Sequence, residues 1–595
     1  MASALLVVSG LSVVHAQASS TSGAATAAGP PVDYTILLED GADHDAAVAA
    51  IRAAGGAVQR ENPAIGAVLV RAQRAGFIAQ VSAAPGVLGA VRSRSIGHLP
   101  AGGDRESLAA ANAPAGMAAS AQAPAATVDA GATITPSGAT IAGAGIAGAA
   151  ATMAGGTQVG MDPMDSMLYG LRMVRAAEAR RVQAGDHRVR VGLLDSGIEA
   201  THPDLAPNVD VAASRNFVVD IPFDENGEVV DGPCEFVGCV DPPAYDDFGH
   251  GTHLAGTIAA AANGFGVSGV APNVTLVDLR VGQDSGLVFL QSFLDAITYG
   301  ADLELNVMNL IFEIDPWVFN CTDNPADSPE AQLEQRTTIA AVNRALDYAH
   351  RKGVTLVGEL GFTHDDLGSP HPDPFSPDYP FGMSYTRELD NDTCLAMPAE
   401  GHHVIGVSSV GPSKAKEDFS NYGLERISLA APGGYRRDGF GTPSYFSREN
   451  QILSTYSRVA ATAKGWLTPE GEITQLGLDF GMVRQCVGAL CSFYRWAEGT
   501  DRAAPHVTGT AALVISQYGN RGLGNPPAMA PERVEHVLLT TAAPQPCPTP
   551  RLVSYANVGR TPDWDAFCAG GTSFNGFYGH GMVDAAAAVS LPGGG

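Results

Sequence analysis

Val189-Arg190-Val191-Gly192-Leu193-Leu194-Asp195-Ser196-Gly197 decides the fold of this chain. An apolar run of strand length leads straight into a carboxylate, and the glycine behind it allows a tight turn. Outward from this stretch, Val274 to Leu279, Val354 to Val357 and Val404 to Val410 have the same character. Helical patterns lie between them, such as Thr338 to Lys352 stopped by Gly353. Near-continuous apolar strands alternating with helices predict an α/β domain over residues 165–592: a doubly wound, mostly parallel sheet with helices on both faces. Ligands of such sheets bind beyond the carboxyl ends of the strands, and Asp195 stands at one of those ends.

Two further segments carry chemistry. In Asp247-Phe248-Gly249-His250-Gly251-Thr252-His253-Leu254-Ala255-Gly256, small residues let a helix start pack closely and present His250 at its beginning. In Gly499-Thr500-Asp501-Arg502-Ala503-Ala504-Pro505-His506-Val507-Thr508-Gly509, an acid opens a long apolar helix. At a helix start a carboxylate meets free N–H groups and the positive end of the dipole. His253 and His506 read as packing partners of these helices.

The three segments resemble the motifs of the subtilisin-like serine proteases. That family carries an Asp in D-[ST]-G, a His in H-G-T-H-x-A-G and a Ser in G-T-S-x-A-x-P-H-V, in this chain order, and Asp195 and His250 match the first two. Asn421 to Gly433 looks like the family's sheet-edge segment, and Tyr578 to Ala585 looks like its closing helix. Residues 32–98 are similar to the family's inhibitory propeptide. The resemblance implies a subtilisin-like fold and cleavage of peptide bonds in extended substrates, and the sequence departs from it where the reaction occurs. Asp501 stands at the nucleophile's position, with Arg502 beside it. Phe362, after Gly361, stands where an Asn side chain would donate to the oxyanion, and a phenyl ring has no donor. Ile311 replaces the usual Ser at the edge of the substrate cleft.

A carboxylate has no hydroxyl proton to hand to an imidazole. The expectation is therefore a homologue that keeps a peptide-binding cleft and has lost ordinary proteolysis, a pseudoprotease, with Asp195, His250 and Asp501 as a carboxylate, imidazolium, carboxylate cluster. Two other readings stand beside it. Asp501 and His250 could activate water as a hydrolase, or the chain could be an active serine endopeptidase. Independent changes at four positions favour the first.

The remaining sequence sets the surroundings. The 595 residues are only 16% charged and carry a net charge of −27, which opposes binding to nucleic acid. Residues 1–18 have the layout of a signal peptide, without a basic first segment, and predict secretion. Residues 32–98 read as a compact sheet with two helices on one face. Residues 99–160, almost entirely Ala, Gly, Thr, Ser, Met and Pro, read as a linker. Their uncharged stretch from Ala139 to Gly156 is too poor in large apolar residues for a membrane span.

Eight cysteines in an exported chain suggest disulfides. Cys234 with Cys239, and Cys486 with Cys491, are close enough to close small loops. Cys547 with Cys568 makes a third pair and leaves Cys321 with Cys394; the alternative is buried free thiols. Nothing in the sequence requires a cofactor. Structural calcium is common in the family, yet no acidic spacing assigns a site. His364, Asp365 and Asp366 could hold a cation, although a solvated acidic loop accounts for them as well. The expected partners are an extended peptide and the chain's own residues 32–98.

Overall fold

The structure, a computed structural model, describes residues 31–73, 76–93, 95–98, 161–223, 229–311, 316–377, 383–488, 490–520 and 527–591. The expected signal peptide and the expected linker, residues 99–160, lie outside the described residues.

The N-terminal unit runs β1 (Val32–Leu38), α1 (His44–Ala53), β2 (Ala57–Asn62), β3 (Ala67–Ala72), α2 (Phe77–Ser82) and β4 (Val87–Arg92). Its antiparallel sheet has the order β2-β3-β1-β4. Alternation along β1 sends successive side chains to opposite faces. Tyr34, Ile36 and Leu38 pack with Val48's helix partners Ala47 and Ile51 and with Phe77 and Val81. Leu37 and Val91 join the core of the large domain instead. The sequence reading had two helices on a sheet but no β2, a mostly exposed polar strand.

The large domain is built on β6 (Arg190–Asp195), α3 (His250–Ala259), β7 (Thr275–Arg280), β8 (Leu287–Phe289), α4 (Leu290–Asp302), β9 (Val307–Leu310), α5 (Pro329–Arg351), β10 (Thr355–Glu359), β11 (Val404–Val410), β12 (Ile427–Pro432) and α6 (Ala504–Tyr518). Its main sheet has the order β12-β11-β10-β9-β6-β7, closed at the β7 edge by Arg215–Asn216, and every pairing is parallel. These strands are almost wholly buried, as expected for a sheet covered on both faces. α5 starts nine residues before the expected helix, with Ser328 as N-cap accepting from Ala331 N and Pro329 in the first turn. Residues 578–583 are not helical, and only Ala585–Ala588, capped by Asp584, forms the closing helix.

The N-terminal sheet lies against α4 and α5. Asn62 Nδ2 donates to Asp295 Oδ1 at 2.9 Å and to Thr298 Oγ1 at 2.8 Å, and Arg60 also pairs with Asp295. Arg344 Nη1 donates to Leu38 O at 2.6 Å. Beyond β4, β5 (Ser95–His98) pairs antiparallel with β8.

All four cysteine pairs read from the sequence are disulfides: Cys234–Cys239, Cys321–Cys394, Cys486–Cys491 and Cys547–Cys568. Among the described residues no helix is long and apolar enough to cross a membrane.

Candidate active site

Asp195 ends β6 where the strand order turns back on itself. The register pairs Leu310 with both Leu194 and Gly358, so Ile311 comes abreast of Asp195 and the end of β10. Leu360, Gly361 and Phe362 follow from β10 on the same side of the sheet. Asn421 holds this turn by donating from Nδ2 to Leu360 O and from N to Gly361 O, each at 3.0 Å. Ile311 is fully buried and Phe362 half-buried.

His250 opens α3, and Gly251 lets that helix touch the end of β6. A Cβ on Gly251 would come 2.1 Å from Gly197 O. Asp246 fixes the helix start, a role the sequence reading missed. It accepts from Ser196 Oγ (2.9 Å), Gly249 N (2.7 Å), Thr252 N (3.0 Å) and Thr252 Oγ1 (2.5 Å). Burial pushes the Asp246 carboxyl up, against the pull of these donors. The local signal was available in principle, since an acid just before a helix commonly binds its free N–H groups.

The structure brings Asp195, His250 and Asp501 together. His250 Nδ1 lies 3.0 Å from both oxygens of Asp195, and Nε2 lies 2.8 Å from Asp501 Oδ2. A fourth group completes the cluster. Arg502 Nη1 donates to Asp501 Oδ2 at 2.6 Å and lies 2.6 Å from His250 Nε2. All four residues are at most 3% exposed. The cluster therefore holds one group more than the expected carboxylate, imidazolium, carboxylate arrangement, a guanidinium that carries a permanent positive charge beside the second carboxylate. Nor does Asp501 cap the helix proper. Thr500–Arg502 form a 3₁₀ turn, and α6 begins at Ala504 with Ala503 in the cap position.

Two histidines near the cluster are structural in their contacts. His253 Nε2 is 3.0 Å from Arg495 O, and burial, reinforced by the charge of Arg502, holds its pKa well below the usual value. His506 Nδ1 is 3.1 Å from Arg502 O, and burial lowers its pKa to about 4. Thr508 Oγ1 donates to Asn309 Oδ1 at 2.7 Å, tying α6 to the end of β9.

Chemically, His250 Nε2 is closed off. Asp501 Oδ2 and Arg502 Nη1 both sit within hydrogen-bond distance of the atom that would take a proton from a hydroxyl. Carboxylates also gather around Arg280, which pairs with Asp241 (2.7 Å), Asp247 (3.1 Å) and Asp284 (2.6 Å). The guanidinium gives these carboxylates a shared counter-charge. His364 and Asp365 meet His371, which the sequence reading did not single out.

Comparison with known proteins agrees with this architecture. The model of the Subtilase family (Peptidase_S8) matches residues 186–581. Subtilisin DY of Bacillus licheniformis is 25% identical over 374 residues, 63% of this chain and 90% of that protein. The major intracellular serine protease of Bacillus subtilis is 27% identical over 348 residues, 58% of this chain and 74% of that protein. Among solved structures, the epidermin leader peptide processing serine protease of Staphylococcus aureus superposes with a TM-score of 0.58 at 16% identity, covering 95% of this chain and 99% of that one. With a family match over well more than half its length, and with strands and helices in the corresponding arrangement, the chain belongs to the subtilase family and has the subtilisin-like fold.

Proposed function

We propose that this protein is a secreted, non-proteolytic subtilase homologue that works by holding an extended peptide in its cleft. One observation carries the reading: Asp501 and Arg502 occupy both approaches to His250 Nε2, where a serine mechanism needs a hydroxyl. Phe362 at the oxyanion position and Ile311 at the cleft edge support it. So does the first segment of the sequence, which has the form of a signal peptide, together with four disulfides of the kind that persist in oxidising surroundings. In this reading Asp195 and His250 keep a scaffold role, and no cofactor takes part. Residues 32–98 act as a propeptide-like partner, with β5 laid on β8 in the manner of an added strand. A water-activating role for Asp501 is disfavoured by the same ion pair, since Arg502 stabilises the ionised, already engaged carboxylate.

The test uses the purified secreted chain with casein and a fluorophosphonate probe. The expected outcome is no hydrolysis, no covalent label, and a mass showing residues 32–98 retained. Labelling at an active-site side chain, with casein cleavage, would overturn the proposal. A triple variant, Phe362→Asn, Asp501→Ser and Arg502→Met, asks whether the rest of the site is sound; self-cleavage by it would show that these positions are what silences the parent.

A further inference from the structure

We propose that His364, Asp365 and His371 form a binding site for a zinc-class divalent transition-metal ion. Each offers a donor atom, and the three atoms lie within 4.8 Å of one another. His371 Nδ1 is 3.0 Å from Asp365 Oδ1, and the rings of His364 and His371 meet edge to face at 5.0 Å. A tetrahedral site with bonds of about 2.0–2.1 Å sets donors roughly 3.4 Å apart, so no pair has to close by more than roughly 1.4 Å. Two imidazoles and a carboxylate are the donors of zinc and its neighbours in the first transition row; calcium prefers oxygen alone.

A second observation points to a ligand. His364 Nδ1 is shielded from solvent and has no hydrogen-bond partner. A buried polar atom left unpaired is costly, and native structures rarely keep one without a reason. The backbone holds this ring in place at a left-handed φ of 59°, a conformation uncommon outside glycine.

The surrounding frame is fixed. His364 N donates to Phe419 O at 3.0 Å, Asp365 N to Asn421 Oδ1 at 3.0 Å, and Tyr422 N to Asp365 O at 2.9 Å. His371 N donates to Asp365 Oδ1 at 2.8 Å, which draws the third residue back across a seven-residue loop. Trp564 closes one side, with its ring edge-on to His364 at 3.9 Å. Arg560, stacked on that indole, has its charge directed to Asp418 at 2.5 Å. Access comes from the other side, where the His371 side chain is 43% exposed while Asp365 is 6% exposed. Three protein ligands leave one position for water or a ligand. These three residues are none of the Asp195–His250–Asp501–Arg502 cluster, so the inference does not depend on whether the cleft is catalytically silent.

The experiment is isothermal titration of the EDTA-stripped, dialysed full chain with zinc sulfate, alongside visible absorption of the cobalt-loaded protein. We expect one tight equivalent of zinc and a tetrahedral cobalt spectrum. His371→Ala and Asp365→Asn should each weaken zinc binding beyond the ~10–100-fold that loss of an outer-shell partner produces. His371→Ala changes an exposed side chain, so its fold should persist, and circular dichroism of the metal-free protein checks this. Replacing the exposed His402 and His403, which face Asp347 elsewhere, should leave the titration unchanged. Absence of zinc binding by the parent chain would overturn the proposal, as would binding that survives His371→Ala intact or is lost with His402 and His403.

Discussion

Arg502 Nη1 and Asp501 Oδ2 are 2.6 Å apart, in a site where neither side chain is more than 1% exposed. Both members also touch His250 Nε2, and they have to be exchanged together. Asp501→Ser alone leaves a guanidinium buried against His250. Breaking a buried pair by removing one partner typically costs about 3–5 kcal/mol. Chemical denaturation should show a loss of that order for Asp501→Ser and recovery of most of it in Asp501→Ser with Arg502→Met. Equal stability of the single variant and the parent would refute the pairing argument.

The disulfides should differ in worth according to the chain they close. Cys321 and Cys394 are 73 residues apart in sequence, whereas Cys234 and Cys239 are 5 apart. On the loop-entropy argument, removing the first costs about 4 kcal/mol and the second about 2 kcal/mol. Urea unfolding of Cys321→Ala/Cys394→Ala and Cys234→Ala/Cys239→Ala measures the difference, and the reverse ranking would show that loop closure does not govern it.

Acid should loosen the domain through buried neutral histidines. Burial lowers the pKa of His202 to about 4, with Nε2 held 3.0 Å from Phe493 O. The unfolded chain takes up this proton near pH 6.5, while the folded ring stays neutral until about pH 4. Stability from this residue is thus present above about pH 6.5 and lost as pH falls towards 4, by on the order of 3 kcal/mol. Unfolding free energies measured across that window should fall less steeply in His202→Gln than in the parent. Parallel slopes would count against the residue.

Gly89 controls the docking of the N-terminal unit. A Cβ at this position would come 2.1 Å from Thr337 Oγ1 on α5. Overpacking of this kind costs about 1–3 kcal/mol, or roughly 5-fold to 150-fold in affinity. After cleavage of the chain between the two units, gel filtration should show the parent fragments together and the Gly89→Val fragments separating. Co-elution of both would place the docking energy elsewhere.

What the sequence disclosed follows from where the physical signal lies. The buried strands β6, β7, β10 and β11 announce themselves as apolar runs, and Asp195 and His250 lie in motifs set by close packing, as Gly251 shows. β2 stayed hidden because it is mostly exposed and carries Gln59, Arg60 and Glu61, with no apolar stripe. The role of Arg502 was equally hidden. Adjacent residues on a regular helix do not face each other, and only the 3₁₀ turn before α6 turns Arg502 onto Asp501 and His250. His371 reaches Asp365 through a loop whose start is fixed by hydrogen bonds from His364 N to Phe419 O and from Asp365 N to Asn421 Oδ1, contacts distant in the chain and without periodicity.

β5 lies on the edge of β8, and only two residues separate it from β4, which is docked with the N-terminal sheet. So short a leash raises the local concentration of this segment to the order of a millimolar. A free peptide of equal intrinsic strength, present at about a micromolar, would be outcompeted roughly a thousand to one. Whatever visits this edge must therefore arrive after the leash is cut, or bring enough surplus affinity to evict the resident strand.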